Sequence, residues 1–372
     1  MPLLLKHRRF LPPRSAAVAL CLALAAAIAP THAQPVATQQ AYVHRADAMQ
    51  MAREIAAQHQ LDANWVQTMI AQAEPVPAAV RLMRAPGPRS FGNWRAYRGR
   101  FVDGTRIHAG VEFWWRNQAT LARAEAEFGV PAQIIVAIIG VETIYGRNTG
   151  DFSVRDALVT LALDFPAQHP RAAQRQAFFR DELGHFLLLC RQTGMNPADP
   201  LGSYAGAMGL PQFMPSSWRR WAVDYDGDGR IDLWHSEADA IGSVASYFRA
   251  HGWQPGMPTH YAAYPLPNAD LNTLLGPDIE PTFTAAQMSD LGVFLRPDAL
   301  THDGPLALIK LENGNPQLAG NAPSYAAGTR NFYVVTRYNH SSYYAMAVID
   351  LAQAIAAARR QEAELGPDST QH

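Results

Sequence analysis

The chain has 372 residues, 48% of them hydrophobic, with 31 Lys and Arg against 32 Asp and Glu and a formal net charge of −1. That length and apolar content allow one large core or two to three modest ones, and the near-neutral charge excludes the basic footprint of a nucleic-acid binder. The 8 Trp, 13 Tyr and 15 Phe suit a core and equally a sugar- or peptide-binding cleft.

Residues 1–33 read as a secretory signal peptide. Lys6, Arg8, Arg9 and Arg14 form a basic start, Ala16 to Ala29 is an uncharged apolar run, and Thr31-His32-Ala33 is a small-residue cleavage site before Gln34. The run is too short for a comfortable membrane span, so no transmembrane segment is expected in the mature chain. A lipid anchor on Cys21 is disfavoured by the large Leu20 and by the apolar run continuing past the cysteine; an uncleaved anchor stays as the alternative. Removal of the signal leaves 27 basic against 32 acidic residues, a net charge of −5, and Cys190 as the single thiol. No internal disulfide is then possible, and the setting Phe186-Leu187-Leu188-Leu189-Cys190 points to a buried structural thiol.

Residues 34–96 read as an N-terminal helical region. Asp47 to His59 is one helix, Asp62 caps a second from Ala63 to Ala73, and Pro75, Pro77, Pro86 and Pro88 break the chain into a linker or shaped loop. Residues 97–260 read as a helical core. Trp94 to Phe101, at its entrance, is aromatic and basic, and a single helix is expected from about Ile107 to Phe128. The next helix starts at Pro131 and stops near Gly146. Ile134 to Val141 is apolar on every side apart from Gly140, which places it in an interior. Glu142 falls in its last turn. Burial and the negative end of the helix dipole both favour the neutral carboxyl there, the state that a general acid requires. The plainer alternative is a glutamate that emerges at the surface as the helix ends.

Two helices are expected between Ser153 and Gly194. Residues 195–235 are rich in loops and glycine, with a short helix near Ser216 to Trp221, and Ala238 to His251 is helical. Residues 261–335 carry many Pro, Asn and Gly residues, with strands expected at Leu306 to Leu311 and Phe332 to Thr336, and read as a small β-containing subdomain. Residues 336–365 return to the core through a final helix, Ala345 to Glu364, before a frayed tail at 366–372.

Asp224-Tyr225-Asp226-Gly227-Asp228-Gly229-Arg230-Ile231-Asp232 matches the start of an EF-hand calcium loop, with carboxylates at positions 1, 3, 5 and 9 and Gly at position 6. Position 12 is His235 and not the usual glutamate, and Asp239 follows later. The alternative is an Asp/Gly-rich surface turn, but carboxylates this close repel one another without a cation. A lone loop suits a structural site, within an EF-hand-like segment 224–239. Two further stretches, Ser203 to Ser217 and Arg337 to Ala345, are each unremarkable alone: a Gly-rich loop and a helix-capping loop.

Together these segments resemble one family. Gly140-Val141-Glu142-Thr143, Ser203 to Ser217, the Asp224 loop, Ala240 to Tyr247 and Arg337-Tyr338-Asn339 occur in this order in the lytic murein transglycosylase B family, and the resemblance spans roughly residues 42–360. It implies a mainly α fold: a lysozyme-like, α-rich core with an N-terminal helical region and a small β-containing subdomain. It implies cleavage of the β-1,4 bond between N-acetylmuramic acid and N-acetylglucosamine in peptidoglycan, leaving 1,6-anhydro ends. Glu142 matches the single catalytic carboxylate. Tyr97, Ser203, Gln212, Tyr247, Tyr338, Asn339 and Tyr344 match positions of the saccharide cleft. Asp224, Asp226, Asp228, Arg230 (through its carbonyl) and Asp239 match a structural calcium site; no organic cofactor is implied. Peptidoglycan glycan strands are the implied partner, in the periplasm, with cell-wall synthesis proteins as further candidates. One departure is visible: Phe165-Pro166 is followed by Ala167 and Gln168, where the family often has two arginines, leaving Arg171 or Arg175 as substitutes. Two other readings stay open. A hydrolytic muramidase of the same fold would need a second carboxylate to position water, with Asp151, Asp156 and Asp164 as candidates. A non-catalytic peptidoglycan-binding scaffold would not need Glu142.

Overall fold

The computed structural model describes residues 42–84 and 92–365; the signal peptide, the Cys21 question, Pro86 and Pro88, and the tail lie outside the described residues. The N-terminal region holds α1 (Ala46–His59), α2 (Ala63–Ala71) and α3 (Pro77–Leu82). α1 buries Ala48, Met51, Ala52, Ile55 and Ala56 at helical spacing. Asp62 opens α2 by accepting the Trp65 amide at 2.7 Å, a side-chain N-cap. The proline-rich piece is partly helical: Pro77 sits in the first turn of α3, where its missing N–H costs nothing.

α4 (Trp94–Phe101) is a helix where only an aromatic, basic stretch was expected; Asn93 caps it by accepting the Ala96 amide. The single helix expected from Ile107 to Phe128 is instead two, α5 (Gly104–Arg116) and α6 (Gln118–Phe128). Asn117 makes the break. Its side-chain amide donates to the Phe113 carbonyl at 3.0 Å and to the Glu237 carboxylate, and such bonds compete with helical continuation.

α7 (Ala132–Thr143) is the axis of the molecule: all of its twelve residues except Gln133 are buried. It packs on α5, α6 and later on α11 and α16. Truncating any one of its buried isoleucines to alanine costs on the order of 2–5 kcal/mol. It stops three residues before Gly146, because Ile144 and Tyr145 both take the left-handed conformation, φ 52° and 56°. A β-branched residue there is strained. The Tyr145 ring, set 5.1 Å from Phe113, holds the turn in place. Its hydroxyl fits a notch made by two glycines: a Cβ on Gly110 or on Gly140 would lie 2.4 Å from it.

After α7 come β1 (Phe152–Ser153), α8 (Val154–Leu163), α9 (Ala172–Thr193), β2 (Leu201–Gly202), which pairs antiparallel with β1, α10 (Pro215–Trp221) and α11 (Glu237–Ala250). A second, smaller core follows around β3 (His260–Pro265), α12 (Leu271–Leu275), α13 (Ala285–Asp290), β4 (Val293–Leu295), α14 (Pro297–Leu300), β5 (Ala307–Leu311) and β6 (Ser324–Gly328). Its antiparallel sheet runs β4-β3-β6-β5, with Leu308 opposite Ala327 and Tyr264 opposite Phe294. Ala263, Met288, Val293, Leu295 and Leu306 fill it.

The strand expected at Phe332 to Thr336 is part of a helix, α15 (Arg330–Asn339). Its β-branched residues mimic a strand over a short window. Over ten residues the buried positions Asn331, Phe332, Val334, Val335, Thr336 and Asn339 cover one broad helical face and do not alternate as a strand would, and the longer pattern wins. α16 (Ser342–Leu365) closes the chain against α7, α5 and α4. Among the described residues no single helix is long and apolar enough to cross a membrane. The bent pair α6–α7, which passes on composition together, turns by 114°, and its apolar half is the buried α7.

The Tyr145 hydroxyl is buried without a hydrogen-bond partner. Tyr145→Phe is therefore expected to be neutral or mildly stabilising. Gly140→Ala should destabilise by about 1–3 kcal/mol through overpacking, and the double variant by less than Gly140→Ala alone. Denaturant titration of the three variants checks this coupling.

Candidate active site

Glu142 projects from the last turn of α7 and is 5% exposed. Its Oε1 accepts a 2.5 Å hydrogen bond from the Tyr344 hydroxyl, delivered by the first turn of α16. Burial pushes the carboxyl up to about 7, and the Tyr344 bond opposes this in part. Burial also holds Tyr344 and Tyr338 well above the ordinary phenol range, with the Glu142 carboxylate adding to the effect on both. The result is a carboxyl group poised between its two states near neutral pH, facing groups that stay protonated.

An aromatic wall continues from this pair. Tyr338 stacks on Tyr344, centroids 6.3 Å apart and planes at 11°. Tyr247 lies 4.9 Å from Tyr338, and Phe213 5.6 Å from Tyr247. Each phenol is anchored by donation to a main-chain carbonyl: Tyr338 to Pro211 at 2.7 Å, Tyr247 to Arg337 at 2.8 Å. Asn339, the last residue of α15, is buried beside them. On the other side Tyr97 of α4 packs 5.7 Å from Tyr343, the neighbour of Tyr344 in sequence.

The Ser203–Ser217 stretch is a tight loop built over the end of α7. Thr143, next to Glu142, donates its hydroxyl to the Leu210 carbonyl at 2.9 Å. Gln212, in the left-handed region at φ 51°, donates to the carbonyls of Thr149 and Gly209 at 3.0 and 2.9 Å. The Ser203 hydroxyl is turned into its own loop, accepting the amides of Ala205 and Ala207. Of the cleft positions named from sequence, Tyr344, Tyr338 and Tyr247 gather at Glu142, and Asn339 follows Tyr338 at the end of α15. Gln212 braces the adjoining loop, and Ser203 shapes that loop from within.

Sequence reasoning missed two contributors. Thr143 ties the Glu142 helix to the loop. Glu182 of α9, 3% exposed, accepts the Ser216 amide at 2.9 Å and its hydroxyl at 2.6 Å, fixing α10 where the loop ends; burial raises it too to about 7. A signal for Glu182 existed: Phe179, Glu182, Leu183 and Phe186 share one helical face, so an acid stands at a core position. Two of the three carboxylates considered for positioning water are engaged elsewhere. Asp164 pairs with Arg45 and accepts from Tyr42, Asp156 pairs with Arg155, and Asp151 is exposed. Arg175, a proposed stand-in for the missing arginine pair, is buried with its guanidinium 5.5 Å from the Phe179 ring centre.

In the acidic loop, carboxylate oxygens of Asp224, Asp226 and Asp239 lie within 4.8 Å of one another. Asp239 also accepts the amides of Tyr225 and Asp232 at 2.7 and 2.8 Å. Asp228, expected beside them, falls outside this group: its carboxylate takes the Arg230 amide at 2.9 Å and the Arg230 guanidinium at 3.3 Å.

Glu142 sets a pH-dependent stability. Its folded value of about 7 exceeds the unfolded carboxylate range near 4.3. As pH rises between these values the unfolded state loses its proton first, so stability falls across that window and the loss is complete above about 7. Glu142→Gln should thus be more stable than the wild type at pH 8, by up to about 3 kcal/mol, and equal to it at pH 4. Thermal unfolding of both proteins at the two pH values tests this.

The chain matches the family model described as Transglycosylase SLT domain over residues 44–353. It is 37% identical over 332 residues to the membrane-bound lytic murein transglycosylase B of Escherichia coli (strain K12), a match covering 86% of this chain and 85% of the relative. Among solved structures, the soluble lytic transglycosylase SltB1 of Pseudomonas aeruginosa superposes with a TM-score of 0.74 at 40% identity, covering 84% of this chain and 99% of that one. The Escherichia coli lytic transglycosylase Slt35 in complex with calcium superposes with a TM-score of 0.73 at 38% identity, covering 86% and 96%. A buried acid closing an apolar helix, an aromatic cleft wall and an acidic loop are thus found in a chain that belongs to the lytic murein transglycosylase B family, and it is an enzyme of that kind with a lysozyme-like fold.

Proposed function

We propose that the chain cleaves the β-1,4 bond between N-acetylmuramic acid and N-acetylglucosamine in peptidoglycan, and that Glu142 is its only catalytic carboxylate. The observation that carries this is the Glu142–Tyr344 pair: a buried carboxyl raised to about 7 whose influences are burial and one phenol. Protonated Glu142 donates to the glycosidic oxygen as the C1–O bond breaks. The resulting carboxylate then takes the proton of the 6-hydroxyl of the same sugar while that oxygen closes on C1, giving a 1,6-anhydro end and regenerating the acid. No water is consumed. Because the nucleophile belongs to the substrate, positioning can supply much of the rate, with effective molarities of about 10⁵ M or more in favourable cases, and the usual second carboxylate of glycosidases is not needed. The engagement of Asp164 and Asp156 in ion pairs supports this over the hydrolase reading.

Tyr338 and Tyr97, both partly exposed, present the saccharide-binding surface, with Tyr247, Tyr344 and Asn339 buried behind it and Gln212 and Ser203 holding the loop beneath. Aromatic faces suit the apolar sides of sugar rings. Residues 1–33 direct export to the periplasm, where the glycan strands are the partner and cell-wall synthesis proteins are candidate neighbours.

The three clustered carboxylates of Asp224, Asp226 and Asp239 fit a hard cation that takes six to eight oxygens, and their mutual repulsion without one supports the same reading. Calcium there is structural: it would be held by these residues, with Asp228 and the Arg230 carbonyl as further ligands, and would tie the loop to α11. The calcium complex of the similar Slt35 agrees with this.

Purified peptidoglycan sacculi digested with the wild type should release anhydro-ended products by mass spectrometry, and Glu142→Gln should be slower by about 10²–10⁴-fold. Products heavier by one water would establish the hydrolase instead, and undiminished action by Glu142→Gln would remove the acid from the mechanism. Calcium at a hundred times its dissociation constant should stabilise the fold by about 2.7 kcal/mol. Chelation should reverse this, and Asp239→Asn should abolish the response in a thermal scan.

A further inference from the structure

We propose that a second hollow, beside the catalytic cleft, binds N-acetylated sugars further along the same glycan strand. It lies between the Thr149–Asp151 turn, the C-terminal end of α9, β2 and the Asp224–His235 loop, and encloses about 1110 Å³. The proposal rests on the glycan-cleaving reading above and extends it.

Size and place come first. Pockets for single small ligands run to about 1,000 Å³, so this hollow accommodates several linked rings. Glu142, Tyr338, Tyr344 and Gln212 do not line it. Yet it shares a wall with the cleft. The Thr149 carbonyl, on its rim, is the acceptor for Gln212. Gly150 lies so close to the loop backbone that a Cβ there would sit 2.2 Å from the Gly202 carbonyl oxygen. The hollow thus adjoins the loop that carries Gln212, next to the catalytic cleft.

The lining has the chemistry of a sugar site. Leu201 on β2 is 49% exposed and stands beside Trp234, whose ring packs 4.8 Å from that of Trp218. The Trp234 N–H is already donated to the Leu201 carbonyl at 3.0 Å, so the indole offers a ligand its ring. Around this apolar floor stand Thr193, Gln192 and the exposed carboxylate of Asp151, short-range partners for hydroxyl and acetamido groups. Of the other charges on the rim, Arg230 pairs with Asp228 and Asp232 with His235, Asp199 takes the Asn196 amide, and Arg219 is hydrogen-bonded to His185 and Gln192.

The test is calorimetric binding of N-acetylglucosamine oligomers of two and six residues to the mature Glu142→Gln chain with calcium present, so that no turnover is required. Into that background Leu201→Arg and Thr193→Arg are introduced separately. Both positions are exposed and lie on different elements, so one informative variant survives if the other fails to fold. The hexamer should bind at least tenfold more tightly than the dimer. Each arginine should weaken the hexamer fivefold or more and leave the dimer unchanged. Equal hexamer affinity with and without the arginines would overturn the proposal, as would an equal loss for dimer and hexamer, which would place the effect in the cleft. A loss confined to peptide-bearing muropeptides would overturn the saccharide assignment. Failure of the wild type to release anhydro products would count against the catalytic reading alone, because the binding measurement does not depend on it.

Discussion

An ionisable group at the end of a helix with no solvated face is the constraint on which this molecule depends. α7 has to be surrounded, because almost every residue on it is apolar or small, and α5, α6, α11 and α16 surround it. That same enclosure removes water from Glu142 and lifts its carboxyl to about 7. Stability and chemistry therefore draw on one feature in opposite senses: apolar burial favours the fold, and the buried acid costs part of that gain whenever it ionises.

The turn after Glu142 shows how the position is held. Ile144 and Tyr145 occupy left-handed conformations that side-chain-bearing residues rarely adopt. Tyr145 reaches between Gly110 and Gly140, and Thr143 bonds the Leu210 carbonyl. The chain thus leaves the helix abruptly and is clamped on both sides of the acid. Such strain persists only where surrounding packing over-determines it, as it does here between α5 and the Ser203–Ser217 loop. Glu182 completes the clamp at the far end of that loop through Ser216.

The acidic loop and the small sheet illustrate two different kinds of legibility. The alternation of carboxylates from Asp224 to Asp232 follows from local geometry, since alternate residues point oxygens inward around a tight turn. Which carboxylates meet is not local: Asp239 arrives from the start of α11, and Asp228 is drawn off by Arg230. The small sheet has its own core, and its strand at Ala307–Leu311 reads directly from an apolar run. The run at Phe332 misleads, because five β-branched and aromatic residues look alike in a strand and on one face of a helix.

By itself the sequence determined the helical character of the chain, the interior position of the Ile134–Val141 run, the acidic loop and, through ordered motifs, the family. These are properties of periodicity, caps and short-range geometry, which neighbouring residues impose on one another. It could not determine that Asn117 would break a long helix, because the partner that helps to hold it, Glu237, is distant in sequence. Nor could it place Tyr344 on Glu142, two residues 202 positions apart, or set Tyr338, Tyr247 and Phe213 in one wall. Those contacts exist only once α15 and α16 have returned to cover α7. The same covering lifts the Glu142 carboxyl toward neutrality, since desolvation is a property of the assembled interior and of no segment alone.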